Sequence, residues 1–164
     1  MFGFGRKKEP QPDSGGRLPA WYFAMEGQTN ELKAALEQGL DPDHAGKDGM
    51  TMLFVAAHYG RTEAVRMLLA AGADPNRVAK GGNGPLWEAT REASKRPVEG
   101  RPVFDREVVS LLLQAGADPA HTNAAGTAPA GWAQWDEELQ TIYRDAGFTG
   151  DFADCLSSST GEKS

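Results

Sequence analysis

Three histidines, one cysteine and a scatter of carboxylates are the side chains here that could bind a metal or move a proton. His44, His58 and His121 are not spaced as HxxxH ligands, and Cys155 has no second cysteine with which to form a CxxC pair or a disulfide. No neighbour of Cys155 in the sequence is placed to lower its pKa and make it a nucleophile. The segment Gly46 to Gly49, "GKDG", lacks the GxxxxGK[ST] spacing that cradles phosphates. Catalysis needs a nucleophile, a base or a metal set held in one cleft, and none is spelled out. The expectation is therefore no catalytic residue, no metal ligand and no cofactor, with an enzyme or metal-binding protein the weakest reading.

The elements that would position any site are clearer. In Asp48 to Asn76, the residues Thr51, Leu53, Ala56 and Ala57 have the i, i+3, i+4 spacing of a short helix with a small, apolar face. Gly60 breaks it. A second helix starts at Thr62, whose hydroxyl is expected to cap the first turn, and carries Val65, Leu68 and Leu69 on one face. Gly72 stops this helix and Pro75 prevents its continuation.

The same unit recurs, and a fixed period decides a fold before local propensity does. Ala20, Phe23 and Ala24 precede Leu53, Ala56 and Ala57 by 33 residues, as Leu32, Ala35, Leu36 and "GLDPD" precede Val65, Leu68, Leu69 and "GADPN". Leu86, Ala89 and Thr90 follow at the same period; Val109, Leu112, Leu113 and "GADPA" come after an insertion of eleven residues. A worn copy runs through Gly126, Pro129, Ala133, Leu139, Ile142, Tyr143 and Gly147. The strings "GMTMLFVA" from Gly49, "GNGPLWEA" from Gly82 and "GTAPAGWA" from Gly126 resemble the G-x-T-P-L-H-x-A motif of ankyrin repeats.

That resemblance implies an all-α fold: a solenoid of stacked helix-turn-helix pairs joined by hairpin-like fingers, each pair contacting mainly its neighbours. The expected domain is 18–149, with repeats at about 18–43, 44–76, 77–119 and 120–149. Flexible tails are expected at 1–17 and 150–164. The fingers are Asp41 to Lys47, Asn76 to Gly81 and Ala120 to Ala125; His44 and His121 fall at matched finger positions. Trp21, Tyr22 and Phe23 read as rings sealing the first repeat, while Trp87 and Trp132 read as core. The insertion, Arg91 to Val108, reads as an irregular loop in which Asp105 caps the next helix. It is locally basic through Lys95, Arg96, Arg101 and Arg106, so it could meet an acidic partner.

A formal charge of −6 and a pI near 5.1 argue against non-specific nucleic-acid binding, which needs cations to displace counterions. No apolar run has the length of a secretory h-region or a bilayer span, and the expectation is a soluble, cytoplasmic chain, monomeric on its own, without membrane contact. The function implied is binding of another protein, as an adaptor or regulatory module. The alternative is an immunity or inhibitor protein that neutralises a cognate bacterial toxin. In the family, partners dock on the concave face lined by fingers and first helices. Mapping by repeat position selects Met25, Glu26, Lys47, Asp48, Met50, His58, Tyr59, Lys80, Asn83, Arg91, Glu92, Thr127, Trp135 and Asp136 as partner-binding. Tyr59 and Trp135 stand out, because a scaffold has no need of large rings at the end of the first helix.

Overall fold

The structure, a computed structural model, describes residues 11–95 and 104–156. Among the described residues seven α-helices run in chain order: α1 (Pro19–Glu26), α2 (Thr29–Glu37), α3 (Met52–His58), α4 (Thr62–Ala70), α5 (Pro85–Ala93), α6 (Glu107–Gln114) and α7 (Glu137–Asp145). A 3-10 helix at Pro129–Ala133 takes the place of a first helix in the last pair. Among the described residues there is no strand, only an isolated bridge between Ala45 and Thr51 that closes one finger. The first helices stack as α1 on α3, α3 on α5 and α5 on the 3-10 helix, with α2, α4, α6 and α7 forming a second row behind them.

Small side chains set the packing. All of Met52 to Ala57 is buried, because α3 is sandwiched between α1 and α5 with α4 behind it. In the outer row burial is one-sided: Val65 and Leu68 of α4, then Val109 and Leu112 of α6, are fully buried while Glu63, Arg66 and Glu107 face water. Each outer helix ends on a glycine at positive φ. At Gly72 the amide of Ala73 reaches back to Leu68 O at 3.0 Å and that of Gly72 to Leu69 O, the expected stop.

Several details differ from the sequence reading. Thr62 does not cap α4; its hydroxyl donates to Asp105 Oδ2 at 2.7 Å, drawn away by the returning insertion. Asp105 lies one residue before the Arg106 N-cap of α6, where its Oδ1 accepts from the Glu107 amide. Arg91 to Ala93 are helical, since no glycine ends α5 there. The middle of the insertion, with Arg96, Glu99 and Arg101, lies outside the described residues, as do 1–10 and 157–164.

Both ends pack further than the expected tails allow. Residues 13–17 form a turn whose Gly15 O accepts from Lys47 N at 2.7 Å, and Tyr22 donates to Asp13 Oδ2 at 2.6 Å. Past Gly150 the chain folds back: Phe152 is buried beside Tyr143 and Phe148, and Cys155 O accepts from Ala128 N at 2.8 Å. This return needs a glycine beneath it, because a Cβ on Gly131 would lie 2.8 Å from the Cys155 carbonyl. Gly131 and Pro129 leave the first helix of that repeat as a 3-10 turn.

Candidate functional site

The face made by the first helices and the fingers, here called the inner face, carries the chain's unusual surface chemistry. Among the described residues the exposed large apolar side chains are Tyr59 at 50%, Val78 at 40% and Trp135 at 76%. Tyr59 is the residue at which α3 ends, and Trp135 lies two residues past the 3-10 helix, where the repeat alignment sets it opposite His58, the neighbour of Tyr59. Neither ring is used by the core.

Two depressions run between them. The first, about 250 Å³, is bounded by Trp21 of α1, Met50, Val55, His58 and Tyr59 around α3, and Glu88 of α5. The second, about 280 Å³, lies between Arg91 of α5, with Ser94 and Lys95 just past its end, and Trp132 and Trp135. Arg91 borders both, so the surface is continuous from the second repeat to the fourth.

At the centre is Glu88, only 6% exposed. Its carboxylate accepts from Arg91 Nη2 at 2.9 Å and Asn83 Nδ2 at 3.1 Å, and lies 3.0 Å from His58 Nδ1. Burial pushes the Glu88 carboxyl up, but the bonds from His58, Arg91 and Asn83 together outweigh it and hold it below the usual carboxylate value. Glu92 adds a second carboxylate, bound by Arg91 at 2.9 Å and Lys95 at 2.6 Å. The ligand atoms of His58, Glu88 and Glu92 come within 4.8 Å of one another, a grouping that linear spacing concealed because it spans two repeats. Chemically the set could hold a divalent cation only if Arg91, which bridges both carboxylates, moved out.

The structure brings Met50, His58, Tyr59, Arg91, Trp135 and Asp136 to these depressions, with Asn83 and Glu92 supporting them. Lys47 and Lys80 are exposed on the fingers. The others are occupied. Asp48 pairs with Arg17, and burial opposes a low pKa that its bonds from the Met50 amide and Arg17 nonetheless impose. Met25 O takes Arg61 Nε at 2.9 Å, Glu26 takes Gln28, and Thr127 is tied to Asn123 within its finger. Asp136 caps α7 through Leu139 N and pairs with Arg106 at 2.6 Å. Trp87 and Trp132 are half-buried rather than core, meeting edge to face at 5.6 Å at the edge of the stack. Sequence reasoning missed Glu88 and Trp132 as surface-site residues; the Glu88 to Arg91 spacing, one helical turn, was the available signal.

His44 and His121 do occupy matched finger sites. Each ring Nε2 donates to a glycine carbonyl in the preceding layer, Gly16 O in the turn of residues 13–17 at 2.9 Å and Gly82 O just past the preceding finger at 3.2 Å. Cys155 is half-buried; burial, then Asp154 and Asp151, push its thiol up, away from nucleophilic character.

Stacked helix pairs joined by fingers, exposing aromatic rings along one face, define a repeat solenoid built for display rather than enclosure. The family model for ankyrin repeats (three copies) matches residues 4–79, and the helix pairs continue the same unit to Gly147: the chain belongs to the ankyrin-repeat family. Ankyrin repeats are in general protein–protein interaction modules. No curated protein matches the chain. No helix among the described residues is long and apolar enough to cross a membrane.

Proposed function

We propose that this chain binds a partner protein on its inner face, with Tyr59 and Trp135 as the anchoring rings and the two depressions between them receiving partner side chains. The observation that carries the reading is the exposure of these two rings, 50% and 76%, on one continuous surface; among the described residues Val78 is the other large apolar side chain left exposed. The His58, Glu88 and Glu92 cluster serves this surface as a rigid floor and has no catalytic role in this reading, since both carboxylates already hold a guanidinium. Within it, an adaptor or regulatory subunit and an inhibitor of a cognate toxin differ in one respect: only the inhibitor abolishes its partner's activity on binding.

The test is paired substitution. Tyr59→Ala and Trp135→Ala should each weaken partner binding by about 2 kcal/mol or more, measured by calorimetry on the isolated complex. Each should change folding stability by less than about 0.5 kcal/mol in urea unfolding, since neither ring is buried. Unchanged affinity in both variants would remove the inner face from the account.

A further inference from the structure

Charge is distributed unevenly over the molecule. The outer helices and the turns behind them carry most of the carboxylates: Glu31, Glu63, Glu107, Glu137 and Asp145 are all exposed. On the inner face the order is reversed in depth. The carboxylates of Glu88 and Glu92 are recessed, their side chains 8% and 16% exposed, whereas the Lys95 side chain above them is 46% exposed. Lys47 and Lys80, one repeat apart, are exposed on successive fingers, and neither has an ion pair among the described residues. A protein of charge −6 thus carries exposed lysines on this face, Lys47 and Lys80 on the fingers and Lys95 beside Trp135, with Glu26 the exposed carboxylate of the first repeat there.

The second depression adds an independent sign. Among the described residues five buried N–H groups lack an acceptor, those of Arg17 Nε, Trp87 Nε1, Arg91 Nε, Arg106 Nε and Trp132 Nε1, and two of these, on Arg91 and Trp132, belong to residues that line this one depression. Buried donors without acceptors are rare, and a set of donors without acceptors calls for an oxygen anion. The carboxylate already lining the depression, Asp136, is committed to Arg106 and the α7 amides. At about 280 Å³ the space suits one short side chain.

We infer that the partner of the inner face is an acidic protein segment, one carboxylate of which enters the depression between Trp132 and Arg91 while neighbouring acidic groups meet Lys95, Lys80 and Lys47. This deepens the proposed function and rests on it. The cations attract and orient the segment, and the rings of Tyr59 and Trp135 supply apolar area beside each charge.

The experiment is selection of a random twelve-residue peptide library on the full chain. Enriched peptides should be rich in Asp and Glu flanking an apolar residue. They should compete with one another for one site and lose affinity as salt rises. In the Lys47→Glu, Lys80→Glu double variant, whose side chains are exposed and make no ion pair among the described residues, their affinity should fall by about tenfold or more. Trp135→Ala should weaken them too. Peptides that bind through Tyr59 and Trp135 without acidic bias would overturn the acidic-segment inference while leaving the inner-face reading intact. Binding indifferent to those two rings, or tighter binding of single-stranded DNA of matched length than of any peptide, overturns both. No enrichment of any peptide likewise counts against both.

Discussion

Glu88 carries a negative charge into a site that is 6% exposed, where three donors surround it. Cutting it to alanine removes the carboxylate, leaves Arg91 with Glu92 alone, and takes the acceptor from the Asn83 amide and the His58 ring. Glu88→Ala should therefore cost about 3 kcal/mol in urea unfolding, against under about 0.5 kcal/mol for an exposed carboxylate such as Glu63. The pH dependence has a definite sign. The folded-state pKa of Glu88 lies below its ordinary value, so its contribution is fully present at neutral pH and is lost as pH falls through the folded pKa. Unfolding curves taken at successively lower pH should show a steeper acid limb in the wild type than in Glu88→Gln; identical limbs would show that the carboxylate carries no such linkage. This residue was hard to see in the sequence because its partner His58 lies 30 positions earlier. Only the repeat period, which sets His58 beside Arg91 in the stack, makes them neighbours. Tyr59 and Trp135 were legible for the opposite reason: repeat position alone places them outside the core.

The elements are fixed by glycines and turns that recur with the period, and their roles are not equal. Gly72 and Gly82 both take positive φ, +91° and +83°. A Cβ on Gly72 would meet nothing within 4 Å, whereas one on Gly82 would come 3.0 Å from Asn123 Cα in the next finger. Gly72→Ala should cost about 1 kcal/mol from backbone strain alone, and Gly82→Ala at least about twice that, because backbone must yield as well. Equal losses would contradict the close finger packing. Successive fingers are tied by main-chain bonds from Lys80 N to Asp48 O and from Ala124 N to Gly81 O, both 2.9 Å. Behind them Asp43 Oδ1 accepts from Asp74 N, and Asn76 Oδ1 from Asp118 N; Ala120, at the next matching place, ends the series. The helices themselves were readable from apolar spacing. The caps were not, since Thr62 and Asp105 are set by a contact between repeats that no local pattern encodes.

The whole molecule is a stack in which each layer is held by the next, so its ends decide how far order extends. Tyr143, fully buried, joins the last layer to the third through Thr90 Oγ1 at 2.6 Å, and Phe152 closes over it. Burial pushes the Tyr143 phenol far up, so it stays neutral and bonded across the usable pH range. Phe152→Ala should cost about 3 kcal/mol. Amide exchange should then lose protection first in α7 and the 3-10 helix, with α3 and α4 spared; uniform loss would mean that the repeats do not act as layers. The sequence showed the stack through its period and the −6 charge, but not the fold-back of residues 151–156. A short polar segment has no periodicity, and its one anchor, Phe152, acquires meaning only against the ring of Tyr143.

The central claim, that the inner face is where the partner sits, is tested most directly by site-specific photo-crosslinking in cells that make the chain. A photoreactive residue is placed in turn at Met50, Tyr59 and Trp135 on the inner face and at Glu31, Arg66 and Glu107 on the outer helices. The account predicts one and the same protein adduct at the inner positions and none at the outer three. An adduct formed only from α2, α4 and α6 would contradict it.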